Sequence, residues 1–351
     1  CSAAVPTTTS TMMPAPMTEA ILTRMKKRVA LVYGGDSSEW EISVLSGKNV
    51  ASALDPAKYE VYEILLRGEE WSLCDSSVTD RAVPVSPVDK ADFSVTAGGR
   101  KVTFDLALIM IHGTPGENGV LQAYFENLRL KFTTCSSEVA SLTFRKHACK
   151  RALEGVGVRM AGDVVIKSTE RWNSAEIVEK LGLPLFVKPD DGGSSFGITK
   201  VKSAAYLDSA IELAFKESET VIVEEFVQGR ELTEGVFFSG GEVVTLPITE
   251  IISENEYFDY DAKYNGHSSE VCPAEVSEEV RALVQKTTCD LYASLGCKGV
   301  VRMDFILCED GLYFLEINTI PGMTSASLVP KMVRTAGIDI TDFLNTVIDN
   351  S

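Results

Sequence analysis

The segment VRMDFILCEDGLYFLEINTIPGM, residues 301–323, holds the densest set of side chains able to do chemistry. Two runs of alternating residues flank Glu309-Asp310-Gly311, which reads as a hairpin. A three-residue turn with Gly311 in the left-handed position sets Cys308 opposite Leu312. Continued along the ladder, that register sets Asp304 opposite Glu316 and Arg302 opposite Asn318. Facing residues share a side of a sheet, so these four polar groups fall on one face. Met303, Phe305, Leu307, Tyr313, Leu315 and Ile317 then form an apolar face behind them. Two opposed carboxylates with Cβ atoms about 5 Å apart repel and weaken a hairpin. A divalent cation between them removes the conflict, and Asn318 adds a neutral oxygen suited to Mg²⁺. Two such ions about 4 Å apart can clamp phosphate oxygens. A two-residue Asp-Gly turn would instead put Asp304 and Glu316 on opposite faces, and a solvated acidic face is the plainer alternative.

The loop DDGGSSFG (190–197) follows Lys188 at the end of an apolar strand. It lacks the Gly-Lys-Ser/Thr ending of a P-loop, and a strand rather than a helix follows, so neither P-loop nor dinucleotide-binding geometry fits. A strand–glycine loop–strand hairpin can lie over a nucleotide, with the amides of Gly193, Ser194 and Ser195 turned to phosphates; a bare hairpin loop is the alternative. Glu224 and Glu231 stand seven apart in VIVEEFVQGRE, and Lys263-Tyr264 lies in the irregular segment YFDYDAKYNG. His112 ends an apolar run beside glycine. Taken singly, these read as surface charge, a structural tyrosine and a surface histidine.

Among the elements that hold these groups, Arg28–Tyr33 is a buried strand stopping at Gly34-Gly35, and Ser38-x-x-Glu41 matches a capping box opening a helix to about Leu54. Further strands are expected at Tyr59–Leu65 and Leu106–Ile111. Strand, glycine turn, helix, strand marks an open parallel α/β sheet, which binds ligands at the carboxyl ends of its strands. Gly34–Glu39 and His112–Gly119 both fall there. Beyond Cys135 the expectation is a helix at Ser141–Gly155, strands at Pro184–Lys188 and Ile198–Val201, and a helix at Ala204–Lys216. Strands follow at Val221–Phe226, Thr233–Phe238, Val243–Thr249 and Val300–Leu307, with a helix at about Ser277–Leu295. The fold class is α/β and α+β, with an open parallel α/β domain at the N-terminus. The division is 1–24 as a disordered leader or expression remnant, 25–134 as an α/β domain, 135–224 as a central unit and 225–351 as a C-terminal unit.

The 351 residues suffice for two or three domains, and 45% hydrophobic with 24% charged residues excludes dominant disorder. A net charge of −17 makes nucleic acid and anionic membrane poor partners. No apolar run reaches the roughly 18 residues of a membrane span. Eight scattered cysteines without C-x-x-C spacing, and only three histidines, argue against zinc. Cysteines in apolar runs, such as Cys308, read as small buried hydrophobes in a reducing cytoplasm.

Six segments taken together resemble the ATP-grasp ligases, and within them the D-alanine–D-alanine ligase family. They are GGDSSEWEIS (34–43), HGTPGENGVLQ (112–122), KPDDGGSSFG (188–197), FDYDAKY (258–264), GVVRMDF (299–305) and LEINTIPGMTSASLVP (315–330), which run in that family's order from about Lys26 to the C-terminus. The resemblance implies a three-domain ATP-grasp architecture and the joining of two D-alanines with ATP for peptidoglycan. It implies that Lys146 and Lys188 hold ATP phosphates, Glu224 the adenine edge and Glu231 the ribose. Asp304, Glu316 and Asn318 would bind two Mg²⁺, with Mn²⁺ as a substitute. Glu39 would take the first D-alanine's ammonium, supported by a Ser194–Tyr264 pair. Ser327 and Leu328 would hold the second carboxylate with His112 nearby, Arg302 and the Gly322 amide an oxyanion, and Lys263 the transferred phosphoryl. A cytoplasmic homodimer is expected by the same analogy. Tyr264 favours dipeptide formation over the related ligases that use D-lactate or D-serine, and a non-catalytic nucleotide-binding regulator is the reading from another class. Departures from the family pattern are Phe196, Arg145 before Lys146, and the extra negative charge of Asp190 and Asp191.

Overall fold

The apolar run at the start of the chain becomes β1 (Lys27–Gly34), and its alternate side chains feed two different cores. Val29, Leu31 and Tyr33 face one side with Val50 of α1 (Trp40–Ala53), while Ala30 and Val32 face Leu121 and Phe125 of α2 (Val120–Leu128). Gly47 lets α1 lie close on β1, since a Cβ there would fall 2.4 Å from the Tyr33 ring. The computed structural model describes residues 26–75, 83–192, 197–253 and 268–351. The expected leader, the loop residues Gly193, Ser194, Ser195 and Phe196, and Lys263 and Tyr264 lie outside the described residues.

Eight strands form the first sheet: β1, β2 (Tyr59–Arg67), β3 (Glu70–Asp75), β4 (Val83–Asp89), β5 (Ser94–Ala97), β6 (Arg100–Val102), β7 (Leu106–Ile109) and β8 (Lys131–Phe132), in the order β6-β5-β4-β3-β2-β1-β7-β8. The strands β2-β1-β7-β8 are parallel, as expected for a ligand-binding α/β sheet. Beyond β2 the sheet continues as an antiparallel meander the sequence reading did not anticipate. The expected capping box at Ser38 and Glu41 is not formed: Glu39 occupies the N-cap of α1 and makes no side-chain cap bond.

The helix expected at Ser141–Gly155 is two helices, α3 (Ser137–Phe144) and α4 (Lys146–Ala152), broken where Arg145 turns extended at φ −95° and ψ 108°. After β9 (Arg159–Met160) comes a four-stranded antiparallel sheet of β10 (Asp163–Lys167), β11 (Leu185–Pro189), β12 (Thr199–Val201) and β13 (Thr220–Glu225), ordered β10-β13-β11-β12. Helices α5 (Ser174–Leu181) and α6 (Leu207–Ala214) supply its core. Of the stretch 135–224 read as a central unit, this sheet takes its strands from Asp163 onward, whereas Cys135, Cys149 and Leu153 are buried in the next core.

The third sheet has β14 (Arg230–Ser239), β15 (Glu242–Thr245), β16 (Thr249–Ser253), β17 (Ser268–Val271), β18 (Val301–Cys308) and β19 (Gly311–Asn318), with β9 beside β19. The single strand expected at Val243–Thr249 is split into β15 and β16, and Pro247 between them has no N–H to continue a ladder. Helix α7 (Glu278–Ser294) covers one face, and α8 (Leu328–Thr335) and α9 (Ile340–Asp349) close the chain.

The hairpin β18–β19 reaches the expected pairing by a different route. Its turn has two residues, Glu309-Asp310, with Cys308 opposite Gly311, so the distal register differs by one from the expectation. An irregularity between Asp304 and Phe305 leaves Leu315 extra and restores Asp304–Glu316, Met303–Ile317 and Arg302–Asn318. Distal to this bulge the faces are exchanged. Leu312 and Phe314 are buried, with Phe314 against Phe305 at 6.2 Å, while Tyr313 and Leu315, expected in the core, are only half-buried. Cys308, beside the turn, is likewise half-buried rather than buried, and every described cysteine is free.

Candidate active site

The bulged hairpin puts Asp304 at the centre of a polar cluster. Arg302 reaches over it with Nε 2.9 Å from Oδ1 and Nη2 2.8 Å from Oδ2, a two-pronged fork. From β14, Thr233, the register partner of Asp304, donates to Oδ1 at 2.5 Å, and Asn318 donates to Oδ2 at 3.2 Å. Glu316 faces Asp304 across the ladder. Among the described residues no three His, Cys, Asp or Glu side chains gather as a metal cluster, so the candidate set is two carboxylates and an amide. That oxygen-rich set, with like charges opposed, fits a hard divalent cation.

Lys188 ends β11 and meets Glu224 of β13 diagonally across the sheet, 2.7 Å from Oε2. Lys150 of α4 holds Oε1 at 2.6 Å. Burial pushes the Glu224 carboxyl up, but the two ammonium groups outweigh it and hold it at about 2. Burial likewise disfavours the Lys188 charge, yet Glu224, Glu316 and Glu231 together raise its pKa. Asp163 lies opposite Glu224 on β10, and Lys150 bridges to it at 3.3 Å. Lys188 is therefore a largely enclosed, charged ammonium held within the fields of Glu316 and Glu231, both from the third sheet.

Lys146 opens α4, and its Nζ donates to the Gly192 carbonyl at 3.0 Å. Burial lowers its pKa, with Glu316 acting against it. Asp190 exerts its charge on Lys146 and also serves as a structural anchor. Its carboxylate accepts the His147 N–H at 2.7 Å and pairs with the His147 ring at 2.6 Å, pinning the first turn of α4. Arg145 is exposed and donates to Ser141 O at 3.2 Å, so it adds little charge to the cavity.

At the carboxyl ends of β1 and β7, Glu39 and His112 stand as the parallel sheet predicts. His112 is 5% exposed, and both ring nitrogens are engaged, Nδ1 with Ile320 O at 2.9 Å and Nε2 with Ser46 Oγ at 3.0 Å. It is thus a buried, supporting histidine, and burial lowers its pKa. Glu117 was missed by the sequence reading, although it lies within HGTPGENGVLQ. It accepts the Gly113 N–H at 2.7 Å, and burial, then the nearby Glu39 charge, push it up to about 8. An acid five residues past a strand-end histidine was the available signal.

After β19 the chain turns through Gly322, where a Cβ would meet Ser327 Oγ at 2.8 Å, and enters α8 at Ser327. Ser327 Oγ is turned to Thr324, 2.7 Å from its hydroxyl and 3.1 Å from its amide, rather than capping α8. The Leu328 end of α8 therefore presents amides suited to an anion.

One cavity of about 690 Å³ collects these groups. Its wall includes Glu39, His112, Glu117, Lys146, Arg302, Glu316, Asn318, Gly322, Ser327 and Leu328. Asp304 lies behind that wall, tied to it by Arg302 and Asn318, whereas the Lys188–Glu224 pair is linked to it through the fields it shares with Glu316 and Lys146, and Glu231 on β14 through the field it exerts on Lys188. All three sheets contribute.

Comparison with known proteins agrees with this architecture. The family description "D-ala D-ala ligase N-terminus" matches residues 28–135, and "D-ala D-ala ligase C-terminus" matches residues 153–349. A curated D-alanine–D-alanine ligase from Phocaeicola vulgatus is 43% identical over 329 residues, covering 93% of this chain and 99% of the relative. One from Flavobacterium johnsoniae is 44% identical over 325 residues, covering 93% and 99%. Among solved structures, the VanG D-Ala:D-Ser ligase from Enterococcus faecalis has a TM-score of 0.80 at 30% identity, covering 92% of this chain and 99% of that one. The D-alanine–D-alanine ligase from Bacillus anthracis complexed with ATP has a TM-score of 0.74 at 28% identity, covering 92% and 97%. With both halves of the family pattern matched and the ATP-grasp sheets closed around a single cavity, the chain belongs to the D-alanine–D-alanine ligase family.

Proposed function

We propose that this protein joins two D-alanines to D-alanyl-D-alanine with ATP, through a D-alanyl phosphate, in peptidoglycan precursor synthesis. The observation that carries the reading is the meeting in one cavity of Glu39, Lys146, Arg302, Glu316, Asn318 and the α8 N-terminus, drawn from separate parts of the fold. Lys146 and Lys188 take ATP phosphates, with Gly193, Ser194 and Ser195 as further phosphate-binding residues. Glu224 accepts from the adenine edge with the lone pairs its lysines leave, and Glu231 takes the ribose. Glu39 holds the first ammonium, backed by Ser194 and Tyr264, and Lys263 meets the transferred phosphoryl. Asp304, Glu316 and Asn318 hold two Mg²⁺, or Mn²⁺, which when bound neutralise phosphate charge.

A carboxylate is a poor acyl donor, so the first D-alanine's carboxylate oxygen bonds to the γ-phosphorus while the bond to ADP breaks. The second D-alanine, its carboxylate at Ser327 and the Leu328 amide, attacks the acyl carbon with a neutral amine. Arg302 and the Gly322 amide face the resulting oxyanion. The C–O bond to phosphate breaks, and the amine's proton ends on the departing phosphate. His112 supports this site rather than touching substrate, because both its nitrogens are engaged. The proposal includes a cytoplasmic homodimer acting on small molecules, built as an N-terminal substrate domain (25–134), a central unit (135–224) and a C-terminal unit (225–351). Among the described residues no helix is long and apolar enough to cross a membrane.

ADP release measured with D-alanine alone, and with D-lactate or D-serine as the second substrate, tests the reading. One dipeptide per ADP with D-alanine is expected. Faster turnover with D-lactate at neutral pH would assign the protein to depsipeptide synthesis, and no D-alanine-dependent ADP would leave only a nucleotide-binding regulator.

A further inference from the structure

Helix α1 carries more than Glu39. Three residues apart on it, and so on one face, Ser46 and Asn49 grip the same residue of the distant C-terminal segment. Ser46 Oγ accepts the Met323 N–H at 3.2 Å, and Asn49 Nδ2 donates to the Met323 carbonyl at 2.7 Å. Both polar groups of one peptide residue are thereby held from the same helix. Ser46 is itself oriented. The Ile320 carbonyl can only accept, so His112 Nδ1 carries the proton and Nε2 accepts from the Ser46 hydroxyl, 3.0 Å away. That leaves the Ser46 oxygen lone pairs for Met323.

The held stretch, Ile320 to Met323, contains Gly322. It sits between Asn318, at the hairpin end, and Ser327, at the start of α8, and all three line the cavity with Asn49. The helix that grips it has Glu39 at its N-cap. A rigid helix thus spans from the expected seat of the first D-alanine's ammonium to the peptide next to the expected oxyanion donor. None of the contacts described above ties Ser46 or Asn49 to Lys146, Lys188, Glu224 or Asp304.

We propose that Ser46 and Asn49 are positioning residues for the second half of the reaction, fixing the Gly322 amide relative to Glu39 so that the acyl carbon meets the incoming amine. This rests on the assignment of Gly322 and Arg302 to the oxyanion. A shift of about 1 Å in such an alignment costs about a hundredfold in rate. Loosening the grip slows amine attack while phosphoryl transfer continues, and the acyl phosphate is then lost to water, which restores free D-alanine and phosphate.

The test measures ADP and dipeptide in the same samples for Asn49→Leu, Ser46→Ala and Asn49→Gln, with the KM for ATP and a melting curve for each. For Asn49→Leu and Ser46→Ala, the KM for ATP should stay within about twofold, dipeptide formation should fall about ten- to a hundredfold, and dipeptide per ADP should drop well below one. Asn49→Gln, which keeps an amide donor, should recover part of the coupling. If Asn49→Leu does not fold, Ser46→Ala, which removes a single oxygen, decides. One dipeptide per ADP in the folded variants, or ADP and dipeptide falling in step, overturns the inference. Arg302→Lys separates it from its premise: wild-type dipeptide formation there would overturn the oxyanion assignment itself, whereas a collapse there with fully coupled Asn49 and Ser46 variants overturns only the positioning role.

Discussion

Charge placement is where single residues matter most in this molecule. Asp163 and Glu224 face each other on adjacent strands, an arrangement that repels unless a cation lies between. Lys150, 7% exposed, bridges both, and Lys188 neutralises Glu224 from the other side. Nothing in the sequence marked Lys150, because only the fold brings α4 beside β13. Removing one partner of a buried ionic cluster leaves the others uncompensated and costs about 3–5 kcal/mol. Lys150→Met should therefore lower stability by an amount in that range in urea unfolding. It should also raise the KM for ATP, since Glu224 and Lys188 lose their anchor. A variant as stable as the parent would show that the cluster is not the support described here.

Elements set the orientation of these groups. The hairpin β18–β19 brings Asp304 and Glu316 face to face only because a bulge offsets a turn shorter than expected. The alternation of its sequence was visible; the turn length and the bulge were two compensating deviations that local pattern does not reveal. Helix α4 shows the same dependence on a remote partner. Its first turn lacks a side-chain cap from Arg145, and Asp190, at the end of β11, accepts the His147 N–H instead. Asp190→Ala should destabilise the protein by about 1–2 kcal/mol, as loss of a cap does. Because Lys146 begins that turn, the KM for ATP should rise severalfold, with a smaller change in kcat. Thermal unfolding and steady-state kinetics check the two effects separately.

Across the whole molecule, the first sheet and the last two helices share one core. Leu31 and Tyr33 of β1 lie with Phe237, Met332, Phe343 and Leu344, and Phe343 stacks edge-on against Phe237 at 5.0 Å. This shared core is what lets α1 and the 320–323 segment meet at fixed distance. Phe343→Ala should cost about 3–5 kcal/mol, and probes in the first and third sheets should report the same transition; separate transitions would refute a common core. A second global effect comes from Glu234 on β14, which is fully buried, with Thr288 as the only side chain that favours its charged form among the described residues. Burial pushes it up to about 8 from 4.5. The folded state keeps a proton that the unfolded chain releases, so stability falls as pH rises from about 4.5 towards 8 and levels off above. Glu234→Gln should gain on the parent by about 4 kcal/mol between pH 5 and pH 8.5 in denaturant melts. A pH-independent difference would refute the buried proton.

Most of the strands and helices were legible in the chain, because apolar periodicity and turn residues act over a few neighbours, whereas the pairing of Asp304 with Glu316 came out as expected only through a shorter turn and a bulge that cancel. Lys188 and Glu224 were named from their motifs, yet their 2.7 Å contact, the role of Asp190 as a helix pin and the engagement of both His112 nitrogens depend on residues far away in sequence. The break at Arg145, the antiparallel extension of the first sheet and the Ser46–Asn49 grip on Met323 have the same origin. Local pattern dictates which face a side chain takes on its own element. Which partner waits there depends on how separate elements pack, and that is written in no short stretch of residues.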